Sequence, residues 1–121
     1  MSEFNKTKGI KRIIKTLSYS KDGFKVALKE PAIFQLLLLH LPLAGLALLL
    51  DFTLAVKMVL IVGSFLSLIV EFINTAVEAA VDHTSMEIHP LAKIAKDVGS
   101  SAQSLALILV AVLWGMAVFG T

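Results

Sequence analysis

The stretch PAIFQLLLLHLPLAGLALLL, residues 31–50, holds no charged side chain across twenty consecutive positions. A helix of that length rises about 30 Å, the thickness of the hydrocarbon core of a bilayer. Pro31 stands first, where its fixed φ suits the opening turn of a helix. The stretch predicts a membrane-spanning helix, and the rest of the chain is consistent with that. Of 121 residues, 57% are hydrophobic and only 17% charged, with mean hydropathy +0.86. A water-soluble chain of this size cannot hide so much apolar surface in one core. Disorder is excluded for the same reason. With no cysteine, disulfide frameworks, cysteine–zinc sites, iron–sulfur clusters and thiol nucleophiles are excluded as well.

Downstream of this stretch, Asp51-Phe52-Thr53 is too short a connection for anything but an antiparallel neighbour. A second apolar segment covers residues 54–81 and carries Lys57, Glu71 and Glu78. A polar segment, 82–101, reads as a loop. A third apolar segment covers 102–119, with Trp114 near its end, where interfacial tryptophans are common. Upstream, the first thirty residues contain eight of the eleven Lys and Arg. Ile10, Ile13, Ile14 and Leu17 recur at helical spacing with Lys8, Lys11, Arg12 and Lys15 between them. This is the pattern of a basic amphipathic helix lying on a membrane surface, about residues 7–29, with a bend expected at 18–23. A cleavable signal peptide is not expected, because the apolar run begins late and no small-residue cleavage site follows it. The fold class is therefore all-α membrane protein: one surface helix and three transmembrane helices in a single domain, 1–121. The N-terminal segment and the 82–101 segment share one side of the membrane and carry ten Lys or Arg against Lys57 alone on the other. By the positive-inside rule that side is cytoplasmic.

The end of the second segment is where chemistry is expected. At about 100° per residue, Asn74, Glu78 and Asp82 fall within roughly 80° of one another on the face of Glu71. Three carboxylates and an amide on one stripe repel unless a cation lies among them. Counting about twenty residues from Leu54 puts Glu71 just inside the polar boundary and Glu78 outside it. A water-soluble phosphate donor and a membrane-embedded alcohol meet at that depth. Hard oxygen ligands suit magnesium, which takes one or two carboxylates together with substrate phosphates. The plainer alternative is interhelical hydrogen bonding or snorkelling to water. His83, Glu87, His89, Lys93, Lys96 and Asp97 in the polar segment suit either a nucleotide or a solvated loop. His40 reads as a helix-packing group, Gln35 as either a packing or a site residue, and Gly99-Ser100 as an allowance for close helix approach. No phosphate-binding glycine loop, dinucleotide fingerprint or protein-kinase signature occurs.

The run Glu71-Phe72-Ile73-Asn74-Thr75-Ala76-Val77-Glu78-Ala79-Ala80-Val81-Asp82, followed by Ala95-Lys96-Asp97-Val98-Gly99-Ser100, resembles the prokaryotic diacylglycerol kinase family. These are small integral membrane lipid kinases, and the undecaprenol kinases of Gram-positive bacteria belong with them. The resemblance extends from Arg12 to Trp114. It implies a homotrimer in the bacterial inner membrane, with composite active sites on the cytoplasmic side. It implies Glu71 as the base that takes the lipid hydroxyl proton, and Glu30 and Glu78 as the carboxylates that hold the magnesium of MgATP. Arg12, Tyr19, Glu30, Glu78, Glu87, His89, Lys96 and Asp97 match nucleotide-contacting positions. Asn74 and Ser100 match polar positions beside the reacting groups, and Gln35 and Trp114 match positions at the lipid pocket. Leu36 stands where such enzymes can carry an acid, so that role does not carry over. The implied activity is ATP-dependent phosphorylation of diacylglycerol to phosphatidic acid. The rivals are the same chemistry on undecaprenol, and a non-enzymatic helical oligomer acting as channel or scaffold. Against a channel, residues 58–70 are apolar except for Gly63, Ser64 and Ser67.

Overall fold

The computed structural model describes residues 9–84 and 89–120. Among them the chain is entirely helical: α1 Gly9–Ala27, α2 Pro31–Leu49, α3 Leu54–Thr84 and α4 Pro90–Phe119. The expected start of the surface helix at residue 7, and the chain end at Thr121, lie outside the described residues.

Helices α2, α3 and α4 are each long and apolar enough to cross a membrane. Their outward faces carry large apolar side chains such as Leu38, Val62 and Leu105, each more than 60% exposed. Water would not tolerate such surfaces in a chain this small, whereas lipid does. The chain is a multi-pass membrane protein. Helix α3 is central and packs against both α2 and α4. It has 31 residues and is therefore about 46 Å long, which exceeds a hydrocarbon core of about 30 Å. Its last turns must project from the apolar layer.

The far end of the bundle, beside the short α2–α3 connection, is closed by Ala47, Leu60 and Ala117, with Phe52, Val56, Leu113 and Trp114 against them. Phe52 and Trp114 meet edge to face at 6.1 Å between ring centroids, a favoured aromatic geometry. Thr53 Oγ1 accepts from the Val56 N–H at 3.3 Å and so caps α3. The Lys57 ammonium donates to the Leu48 carbonyl at 2.9 Å, placing a cation at the C-terminus of α2. Gly63 lets α4 come close: a Cβ there would stand 2.8 Å from Leu113 Cδ1. In the middle of the bundle, His40 of α2 is buried and hydrogen-bonded to Ser64 and Ser67 of α3, in keeping with a helix-packing role.

Two expectations are corrected. The bend expected at 18–23 is absent, and α1 runs unbroken through it. Ser18, Ser20 and Asp22 are exposed and helix-tolerant there, and continuing the helix brings Phe24 edge to face onto Phe72 of α3 at 5.4 Å. The polar segment 82–101 is mostly helix: α3 extends to Thr84 and α4 begins at Pro90. Pro90 occupies the opening turn, and the His89 ring caps it by accepting from the Leu91 N–H at 3.1 Å. Its charges lie on a helix that projects from the apolar layer, and Lys93 pairs with Asp97 one turn on, at 2.6 Å.

Candidate functional site

The site is built on the projecting end of α3. Glu71 and Asn74 are buried, each 7% exposed, while Glu78 and Asp82 on the same stripe are exposed. The stripe therefore passes from the packed interior to the open end of the bundle. The Asn74 side-chain amide donates to Glu78 Oε1 at 3.2 Å, tying the buried part to the exposed part. Among the described residues, Glu71 Oε2 and Asn74 Oδ1 are buried without a hydrogen-bonding partner. Unsatisfied buried acceptors are costly and rare, and a carboxylate oxygen in that position is suited to receiving a proton or a donor from a ligand.

The cation that such a stripe requires comes from α4. Lys96 donates to Asp82 Oδ1 at 2.8 Å, and the negative charge of Glu78 also acts on it. Gly99 leaves room for the Asn74 amide against α4, because a Cβ at that position would collide with Asn74 Oδ1. Ser100 lies next along α4 and is exposed.

The other expected residues are placed as follows. Glu30 precedes α2 as its N-cap residue and is exposed; its side chain makes no capping hydrogen bond. Gln35 lies one turn into α2 and is exposed. Arg12 and Tyr19 are exposed on α1, with no side-chain bond to the stripe. Asp97 is held by Lys93, and the His89 ring is engaged in its cap. Glu87 lies outside the described residues. Trp114 belongs to the far-end cluster beside Val56, about 22 Å along α3 from Glu71. The bundle thus gathers Glu71, Asn74, Glu78, Asp82 and Lys96 and leaves Trp114 at the other end. Gly99, expected as an allowance for close helix approach, serves as one, with Asn74 Oδ1 in the space that a Cβ would need.

Among the described residues no three His, Asp or Glu side chains converge on one point. A cation held by one or two carboxylates and completed by phosphate oxygens needs no such cluster. Glu78, which accepts from Asn74, and Glu30, whose side chain makes no capping hydrogen bond, are hard oxygen donors suited to such a cation.

The family model for prokaryotic diacylglycerol kinase matches residues 18–118. A diacylglycerol kinase of Pseudomonas aeruginosa is 43% identical over 120 residues, covering 98% of each chain. One from Helicobacter pylori is 47% identical over 119 residues, covering 95% of this chain and 93% of the relative. One from Escherichia coli K12 is 38% identical over 111 residues, 91% of each. With the carboxylate–amide stripe lying inside the matched region and the likeness running along nearly the whole chain, the protein belongs to the prokaryotic diacylglycerol kinase family.

Proposed function

We propose that the protein transfers the γ-phosphoryl group of ATP to the hydroxyl of 1,2-diacylglycerol, giving phosphatidic acid and ADP, at the cytoplasmic face of a bacterial inner membrane. One observation carries the reading: a buried carboxylate, Glu71, with an oxygen that no group among the described residues satisfies, sits one turn from Asn74 and two from the exposed Glu78. A lipid alcohol reaches Glu71 from the bilayer, and a nucleotide reaches Glu78 from water.

The step is an in-line displacement. The lipid hydroxyl oxygen bonds to the γ-phosphorus, the bond from that phosphorus to the β,γ-bridging oxygen breaks, and the hydroxyl proton passes to Glu71. Asn74 holds Glu78 in place through its amide. Glu78 and Glu30 would hold magnesium, which when bound neutralises phosphate charge. Lys96 adds positive charge on the opposite wall. Arg12, Tyr19, Glu87, His89, Lys96 and Asp97 complete the nucleotide contacts, Ser100 lies beside the reacting groups, and Gln35 and Trp114 contact the lipid.

Helix α1 is suited to the membrane surface. Ile10, Ile13, Ile14 and Leu17 are all at least 60% exposed on one stripe, with Lys11, Arg12 and Lys15 between them. Ten of the eleven basic residues favour the cytoplasmic side. Three spans and one short helix cannot enclose a nucleotide and a lipid together, so a homotrimer with shared sites supplies the missing walls. The test is phosphate transfer from radiolabelled ATP in mixed micelles that offer diacylglycerol and undecaprenol side by side. Labelled phosphatidic acid as the main product supports the reading. Labelled undecaprenyl phosphate as the main product replaces its substrate, and no labelled lipid overturns it.

A further inference from the structure

Helix α2 is apolar on every side, and only Gln35 and His40 in it have hydrogen-bonding side chains. Gln35 is exposed, whereas His40 is 1% exposed. His40 lies nine residues beyond Pro31, so about 14 Å along the helix and near the middle of a core about 30 Å thick. Both ring nitrogens are engaged. Nδ1 is 3.2 Å from Ser64 Oγ and Nε2 is 2.9 Å from Ser67 Oγ. Ser67 Oγ also accepts from Gln103 Nε2 of α4 at 3.0 Å. One serine hydroxyl therefore gathers α2, α3 and α4. Either neutral tautomer of the ring satisfies the arrangement, since each hydroxyl can donate or accept.

In lipid, apolar helix faces have no hydrophobic force to fix their mutual rotation, and polar contacts and close packing do that work. Ser64 and Ser67 share a stripe with Glu71, Asn74 and Glu78, within about 80° around α3. Ser67 is one turn below Glu71. Any rotation of α3 that broke the His40 contacts would swing Glu71 by the same angle.

We propose that His40 is a positioning residue: with Ser64, Ser67 and Gln103 it forms a polar clamp inside the bilayer that sets the rotation of α3 and so aims Glu71 at the reacting groups. The proposal rests on the reading of Glu71 as the base. His40 touches no substrate, and its effect reaches the reaction through the helix.

The test compares His40→Leu, His40→Gln and Ser67→Ala in the full-length protein in micelles. Turnover and the Michaelis constants for MgATP and diacylglycerol are measured together with the carboxyl 13C resonance of Glu71, identified by its loss in Glu71→Gln. In His40→Leu, kcat should fall about tenfold, less than the ~100-fold that an ångström of misplacement can cost, with both Michaelis constants unchanged. The Glu71 resonance should move in His40→Leu, and His40→Gln should restore a substantial part of both the turnover and the resonance position. If His40→Leu does not assemble, Ser67→Ala carries the test, with a loss of about threefold in kcat expected at constant Michaelis constants. A folded His40→Leu, or in its absence Ser67→Ala, that leaves the Glu71 resonance in place overturns the clamp. So does a loss that His40→Gln fails to relieve. A moved resonance with full turnover retained in Glu71→Gln would instead sink the base assignment and leave the clamp standing.

Discussion

The side-chain oxygen of Asn74 occupies the space that a Cβ on Gly99 would need. The far end of a side chain can move aside, so an added methyl displaces the amide rather than the helices. That displacement separates Asn74 from Glu78, to which it donates at 3.2 Å.

Gly99→Ala therefore makes stability and activity diverge. Replacing an interior helical glycine by alanine favours the helix by up to about 1 kcal/mol. The variant should unfold no sooner than the parent on heating, while kcat drops about tenfold as Glu78 loses its tether. Parental turnover in a folded Gly99→Ala protein would show that the Asn74 amide has no part in the reaction.

Glu78→Gln preserves size and removes the charge. Its side chain is exposed, so folding should be unaffected. Turnover should fall at least about 100-fold, equivalent to about 2.7 kcal/mol of transition-state stabilisation. Near-normal turnover at saturating magnesium in a well-folded variant would remove Glu78 from the metal site.

The chain contains no cysteine, so single cysteines report topology without background. Asp51→Cys sits in the α2–α3 connection and Thr84→Cys at the projecting end of α3, and both positions are exposed. In intact spheroplasts an impermeant thiol reagent should label position 51 and spare position 84. The opposite pattern inverts the orientation.

A shared active site predicts complementation. Glu30 comes from the head of α2 and Glu71 from α3. Mixing Glu30→Gln with Glu71→Gln subunits, after full dissociation and reconstitution, should return a fraction of wild-type activity well above either parent. Tagged subunits confirm that mixed oligomers form. No recovery in confirmed mixtures means that the pair acts within one chain.

The features legible in the sequence were the local ones. A run of twenty uncharged residues announces its helix without reference to the rest of the chain. Glu71, Asn74 and Glu78 announce a common face by spacing alone. Charge density misled the reading at 90–101, because Lys93, Lys96 and Asp97 look the same on a loop as on a helix that has left the apolar layer. Ser64, Ser67 and Gln103 were illegible for a different reason. Each is unremarkable where it stands, and their link to His40 spans 24 to 36 residues of sequence between the members of each bonded pair and depends on how three helices are rotated. Gly99 and Asn74 likewise acquire their relation only when α4 is laid against α3.

The length of α3 carries a consequence of another kind. Being unbroken over 31 residues, it behaves as a ruler, with its far end pinned by the Thr53 cap and the Phe52–Trp114 contact. The height at which Glu71 and Glu78 stand is then measured from the opposite leaflet, and the thickness of the host bilayer decides which solvent surrounds them. Long acyl chains would draw Glu78 toward hydrocarbon, and short ones would lift Glu71 into water; tilting offsets either mismatch only in part. Turnover should therefore peak at one acyl-chain length of the host lipid, irrespective of the chains on the substrate.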